Sequence, residues 1–219
     1  MSTVSANASV MDSIYRHQRH IYDLTRRYYL LGRNDLIAAL KPPSGSSVLE
    51  IGSGTARNLI LTAKRYPDAE LFGIDISAEM LKSADAMIAR HGLADRITLA
   101  QADATRFEPS DLFSVTGFDR VFFSYRLSMI PGWETALRQA MQVVAPGGEL
   151  HLVDFGQQTS LPGWFGKGLR AWLARFHVTP RESLDTTMAL IAAEHHAELS
   201  FSTLYRDYAR IGCIRLPSA

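Results

Sequence analysis

The sequence predicts an α/β fold in which a mostly parallel sheet is wrapped by helices. Three observations carry that expectation. From Ser44 onward, short apolar runs alternate with longer helical patterns. The first run ends in a glycine turn that opens directly into a helix. The last two runs, AELSFSTLY and YARIGCIRL, stand close enough to pair as an antiparallel hairpin. In order, SSVLEIG reads as the first strand, with a helix following through about Arg65. ELFGID is the second strand, and SAEMLKSADAMIARHG is a helix stopped at Gly92. RITLAQAD and DRVFFSY are the third and fourth strands. WETALRQAMQVVA is a helix stopped by Pro146, Gly147 and Gly148, and ELHLVDF is the fifth strand.

A chain of 219 residues, 47% hydrophobic and 21% charged, has the mix of a globular domain with a substantial core. Residues 1–10 read as a frayed tail without the marks of a signal peptide, 11–43 as a helical lid, and 44–219 as the core. A net charge of +1 gives no basic surplus to recruit nucleic acid. One cysteine, Cys213, excludes an internal disulfide framework and fits a cytoplasmic setting, where it serves as a small strand hydrophobe. No run approaches the roughly 18 apolar residues of a membrane span. Any meeting with a membrane is therefore expected at its surface, peripheral to the inner face.

The string VLEIGSGTARN carries the first chemical signal. Gly52 and Gly54 let the backbone turn sharply and approach a ligand closely, with Ser53 between them and Asn58 behind. Asp75 ends the second strand 21 residues past Gly54, placed to accept from ribose hydroxyls, and Asp103 ends the third. A dinucleotide fingerprint wants a small residue at position 57, and this chain has Arg57. Glu50 would also repel a pyrophosphate but suits a cationic sulfonium with an amino-acid tail. The bland alternative is a structural glycine turn; three acids at three successive strand ends weigh against it.

These motifs, EIGSGTARN, GIDIS, QADAT and APGGELHLVDF, resemble those of class I S-adenosylmethionine-dependent methyltransferases. The resemblance implies their Rossmann-like fold, with seven strands and the last antiparallel, and S-adenosylmethionine as cofactor. It implies that Glu50, Gly52, Ser53, Gly54 and Asn58 surround the methionine portion. Asp75 would take the ribose, with Ile76 and Met80 beside the adenine. Asp103, Ala104 and Thr105 would meet its amino group, and Ser124 would face the methyl.

The segment ahead of this core carries a stripe at helical spacing: Tyr15, Arg19, Tyr22, Arg26, Tyr29 and Arg33. A solvated face, with arginine stems over tyrosine rings, is one explanation. A lid over the crevice is the other, with Gly32 able to break the helix and set Arg33 in a separate turn. Methylating an amine needs a positioned neutral nitrogen, and aromatic faces suit the charge that develops, by about 0.5–2 kcal/mol per ring. Tyr28, Tyr29 and Tyr125 are the candidate rings. None of the seven histidines has an obvious partner or the placing of a base, and no metal is expected.

Residues 162–178 form the second informative segment. On a helix, Phe165, Leu169, Trp172, Leu173 and Phe176 share an arc, Lys167, Arg170 and Arg175 lie off it, and no acid occurs between Asp154 and Glu182. That pattern suits either an interfacial helix on an anionic bilayer or a cap over the active site. RHIYDLTRRYYLLGRNDLI resembles the bacterial diacylglyceryl-homoserine N-methyltransferases, with Arg27 and Asn34 where lysine and aspartate are expected. The resemblance implies successive methylation of a lipid amine to a betaine lipid, with Tyr22 and Arg33 near the cofactor. Arg126 is then the expected cation for the headgroup carboxylate. Phosphatidylethanolamine, a soluble amine, a quinone oxygen, or a binding role without transfer are the alternatives. The oligomeric state is open.

Overall fold

The computed structural model of the protein describes residues 30–176 and 178–218. Tyr22, Tyr28, Tyr29 and the stripe ahead of Arg33 lie outside the described residues. Helix α1 spans Arg33–Leu40 and is followed by β1, Ser47–Ile51. Then come α2 (Arg57–Arg65), β2 (Glu70–Asp75), α3 (Ala78–Arg90) and β3 (Ile97–Gln101). The short α4 (Pro109–Phe113) leads to β4 (Phe118–Ser124), α5 (Trp133–Gln142) and β5 (Val144–Phe155). The chain closes with α6 (Gly163–Ala174), α7 (Leu184–Glu194), β6 (Glu198–Leu204) and β7 (Ala209–Arg215).

The strands form one seven-stranded sheet in the order β3-β2-β1-β4-β5-β7-β6. Pairs from β3 to β5 are parallel, and β7 runs antiparallel to both β5 and β6. This is the Rossmann-like arrangement the sequence predicts. The central strands β1 and β4 are buried along almost their whole length, because helices cover both faces. One apolar layer joins Leu49, Ile51 and Phe123 to α5 and α7. The other joins Val48, Phe122 and Val153 to α1, α2, α3 and α6. Alternate residues of each strand therefore feed opposite layers.

Two boundaries differ from expectation. Helix α5 ends at Gln142, and the expected stop residues Pro146, Gly147 and Gly148 lie within β5. Val144 pairs with Phe118, the register shifts before Arg120 pairs with Glu149, and Gly147 takes a φ of 72° in between. A left-handed glycine lets the strand bulge and resume. Helix α7 is the other surprise. Its apolar residues run around the helix, from buried Leu184 and Met188 to exposed Leu190, so no single stripe announces it.

The helix that Gly32 is expected to interrupt lies outside the described residues; Gly32 itself has a φ of 83°, and α1 begins at Arg33. A Cβ there would also strike Leu204 Cδ1 at 2.9 Å. Among the described residues, no helix is long and apolar enough to cross a membrane.

Candidate active site

The sheet order reverses between β1 and β4, so the ends of these two strands flank a crevice of the kind that binds ligands in such folds. Gly52 and Gly54 have φ of 76° and 55°. The turn is stitched to its neighbour: Gly52 N and Ser53 N donate to the Ile74 carbonyl at 2.8 and 2.9 Å. Gly54 N donates to Asp75 Oδ2 at 2.8 Å, and Ser77 N to Asp75 Oδ1 at 3.0 Å. Asp75 thus anchors the glycine turn and the start of α3 with one carboxylate.

Behind the turn, Glu50 is buried and accepts from Asn58 Nδ2 at 2.6 Å. Burial pushes its carboxyl up to about 8, against the pull of Asn58, Arg126 and Arg33; Asp75 adds repulsion. Glu50 Oε2, Ser53 Oγ, Asn58 Oδ1 and Ser124 Oγ are buried without a hydrogen-bond partner among the described residues. Buried polar atoms normally find partners. An acid, an amide oxygen and two hydroxyls fit a ligand that brings an ammonium and a carboxylate.

On the other side of Asp75, Ala102 N donates to the Asp75 carbonyl at 3.1 Å and Gln101 Nε2 to the Ile76 carbonyl at 2.9 Å. These bonds bring the end of β3 beside Ile76. Asp103 closes its own turn, accepting from Thr105 N at 2.9 Å and Thr105 Oγ1 at 2.8 Å around Ala104. Met80 is buried, with Met129 and Phe176 packed against it. The segment following α6 therefore reaches the position expected to flank adenine.

The loop after β4 carries the corrections. Tyr125, expected to offer an open ring to an amine, is 1% exposed and has a φ of 56°. Its ring packs edge-on to Phe155, centroids 4.6 Å apart, and its hydroxyl donates to the Leu31 carbonyl. Burial drives its pKa well above the phenol range. It is a core latch, because a left-handed backbone turns the side chain inward. Arg126, expected on the acceptor side, lies across the glycine turn instead. Its Nε donates to the Gly52 carbonyl, and its Nη2 stands 3.9 Å from Asp75 Oδ2. Arg33, predicted near the cofactor, is buried close enough to favour the ionised form of Glu50.

Two further residues hold this loop, and the acid-at-strand-end logic that found Asp75 extends to one of them. Asp154 ends β5, and its carboxylate accepts from Ser128 N at 3.1 Å and Phe155 N at 2.7 Å. Arg181 donates to the carbonyls of Leu127 and Ile130 at 3.0 and 2.9 Å. Burial raises the Asp154 pKa and lowers that of Arg181.

Nor is every histidine solitary: His151 Nε2 lies 2.7 Å from Glu149 and 3.8 Å from Cys213 Sγ. The three ligand atoms are within 4.8 Å of one another. Arg120 and Arg215 already neutralise Glu149, at 3.2 and 2.7 Å, so a dication there would meet two guanidinium groups. His91 and His195 sit at the ends of α3 and α7, which lead into β3 and β6 at the edge opposite the crevice.

A Rossmann-like sheet with a glycine turn and acids at its strand ends is the fold shared with S-adenosylmethionine-dependent methyltransferases of known structure. Residues 48–148 match a family model described as a methyltransferase domain. The ubiquinone/menaquinone biosynthesis C-methyltransferase of Bartonella tribocorum is 29% identical over 182 residues, 79% of this chain and 66% of that protein. The chain spans between 54% and 66% of the length of such curated relatives. Among solved structures, an O-methyltransferase family protein from Burkholderia thailandensis is 14% identical with a TM-score of 0.70, covering 94% of this chain and 62% of that one. Phosphoethanolamine N-methyltransferase 2 from Haemonchus contortus, in complex with S-adenosyl-L-methionine, is 16% identical with a TM-score of 0.67, covering 85% and 52%.

Proposed function

We propose that the chain successively methylates the headgroup amine of diacylglyceryl homoserine, forming a betaine lipid at an anionic membrane surface on the cytoplasmic side. The observation that carries this reading is the two-ended character of α6. At its start, Trp164 is 77% exposed and Phe165 39% exposed, stacked edge to face, with exposed Lys167 and Arg170 nearby. Beyond its other end, Phe176 packs on Met80 beside the crevice. One element thus offers aromatics and cations outward and reaches the cofactor side inward, which suits an enzyme that draws its acceptor from a bilayer. The likeness of residues 19–37 to diacylglyceryl-homoserine N-methyltransferases supports the same acceptor.

In this reading Glu50, Ser53, Asn58 and the glycine turn hold the amino-acid end of S-adenosylmethionine. Asp75 takes the ribose; Ile76, Met80, Asp103, Ala104 and Thr105 surround the adenine. The bound cofactor supplies an electrophilic methyl on sulfur, and the protein's part is to position a neutral amine in line with it near Ser124. Tyr28 and Tyr29 are assigned to the growing ammonium, and Tyr22 and Arg33 to the cofactor. The Bartonella relative's name favours a second reading, carbon methylation of a quinol. That reaction wants a base for the phenolic proton, and among the described residues His91, His151 and His195 are not placed to be one.

Two measurements test the proposal. Labelled S-adenosylmethionine is offered with diacylglyceryl homoserine, phosphatidylethanolamine, a demethylated quinol and a soluble amine. Label accumulating in the first as a trimethylated headgroup supports the reading, and label confined to the quinol overturns it. Trp164→Asp is then expected to lose sedimentation with anionic vesicles while still binding cofactor. Trp172 is the poorer probe, since it is half-buried against Phe176 with ring centroids 4.9 Å apart. Vesicle binding that survives Trp164→Asp removes the interfacial role of α6.

A further inference from the structure

We infer that Arg126 is a built-in competitor for the cofactor crevice, and that S-adenosylmethionine must expel its side chain before an acceptor can use it. The side chain lies flat on both glycines of the turn. A Cβ added at Gly52 would meet Arg126 Cγ at 2.7 Å and Cδ at 2.9 Å, and one at Gly54 would meet Nη2 at 2.2 Å. Glycine at these positions leaves backbone bare for close approach, and here the arginine makes that approach. It is 9% exposed, bonded to the Gly52 carbonyl and beside Asp75.

The competition is of like with like. Asp75 and the Gly52 carbonyl form an electronegative lining, and the guanidinium meets it as a cation. S-adenosylmethionine also arrives with cationic groups, an ammonium and a sulfonium. Two such ligands cannot occupy the same space, nor answer the same acceptors without repulsion.

The backbone at Arg126 is held independently of its side chain. The Arg126 carbonyl accepts from Met129 N at 2.9 Å, and Tyr125 N donates to the Val153 carbonyl at 2.8 Å. Displacement therefore leaves the backbone in place but must break the bond to the Gly52 carbonyl and the pairing with Asp75. Position 126 follows Ser124 by two residues, so an expelled guanidinium stays beside the place where methyl transfer is proposed. There it can meet an acceptor carboxylate. Loading is thus ordered: cofactor first, then an anionic acceptor that finds its cation freed.

This inference rests on the cofactor and not on the lipid acceptor, and its test contains no acceptor. S-adenosylmethionine and S-adenosylhomocysteine are titrated calorimetrically into wild type, Arg126→Met and Arg126→Ala, with thermal melts to confirm folding. Arg126→Met keeps an apolar stem over Gly52 if the smaller side chain unsettles the loop. Should the arginine-in state hold about nine-tenths of the molecules, removing it tightens S-adenosylmethionine binding about tenfold. Equal or weaker cofactor affinity in the folded variants overturns the inference, because the arginine would then be indifferent to the cofactor or a ligand for it.

Discussion

Glu50 shows most sharply how a single residue carries a functional cost. Its carboxyl is raised from 4.5 to about 8, first by burial. The sign follows directly. A carboxyl whose folded pKa exceeds its unfolded value contributes stability fully below about 4.5, and loses that contribution as pH rises toward 8. Of the groups facing it, Asn58, Arg126 and Arg33 soften this loss without removing it, and Asp75 deepens it. Glu50→Gln is therefore expected to melt near the wild-type temperature at pH 5 and above it at pH 9, while binding S-adenosylmethionine more weakly. Melting below wild type at pH 9 would mean that the ionised carboxylate is a net stabiliser. A fold that improves when an acid is removed has kept that acid for its ligand.

At the scale of elements, the turn between β6 and β7 is the tightest joint. Tyr205, Arg206 and Asp207 are all left-handed, with φ of 54°, 61° and 61°. The strain is held by Asp207, which accepts from Thr159 Oγ1 at 2.8 Å and Arg210 Nε at 3.1 Å. Gly156 lies under this turn, donating to the Tyr208 carbonyl at 2.9 Å, and a Cβ there would stand 2.3 Å from the Asp207 carbonyl oxygen. Backbone cannot yield as a side chain does. Gly156→Ala is expected to cost more than about 2 kcal/mol in urea unfolding. Gly168→Ala is the contrasting change: nothing lies within 4 Å of its Cβ position in α6. It is expected to gain about 0.5–1 kcal/mol through helix propensity. An unchanged midpoint for Gly156→Ala would show that the turn rearranges at little cost.

Across the whole molecule, Glu149 ties the sheet to its first helix. It meets His151 on its own strand, Arg215 on β7 at 2.7 Å and Arg120 on β4 at 3.2 Å. Arg120 in turn donates to the Leu40 carbonyl at 2.7 Å, at the C-terminal end of α1. These partners, His151 foremost, hold the Glu149 carboxyl down at about 2 from 4.5 despite its burial. Here the sign is the reverse of Glu50. The network contributes fully above about 4.5, and its contribution is lost as pH falls toward 2. Glu149→Gln is expected to flatten the acid side of the stability profile between pH 5 and 3. A variant whose acid unfolding tracks wild type would place the acid sensitivity elsewhere.

The mostly parallel sheet, its antiparallel finish and the glycine turn were largely legible in the chain. Alternating apolar runs mark buried strands, a glycine pair marks a turn that no other residue makes cheaply, and Asp75 and Asp103 fall where strands must end. Those signals are local: each depends on a residue and its near neighbours in sequence. What only the tertiary structure decided is where long side chains point. Tyr125 and Arg126 are adjacent and stand at a strand end where either could face an acceptor. A left-handed φ at Tyr125 buries one in the core, and the acidic lining around Gly52 draws the other over the turn. Direction of that kind depends on the space and charge offered by β1, β2 and α1, which come together only when the chain folds.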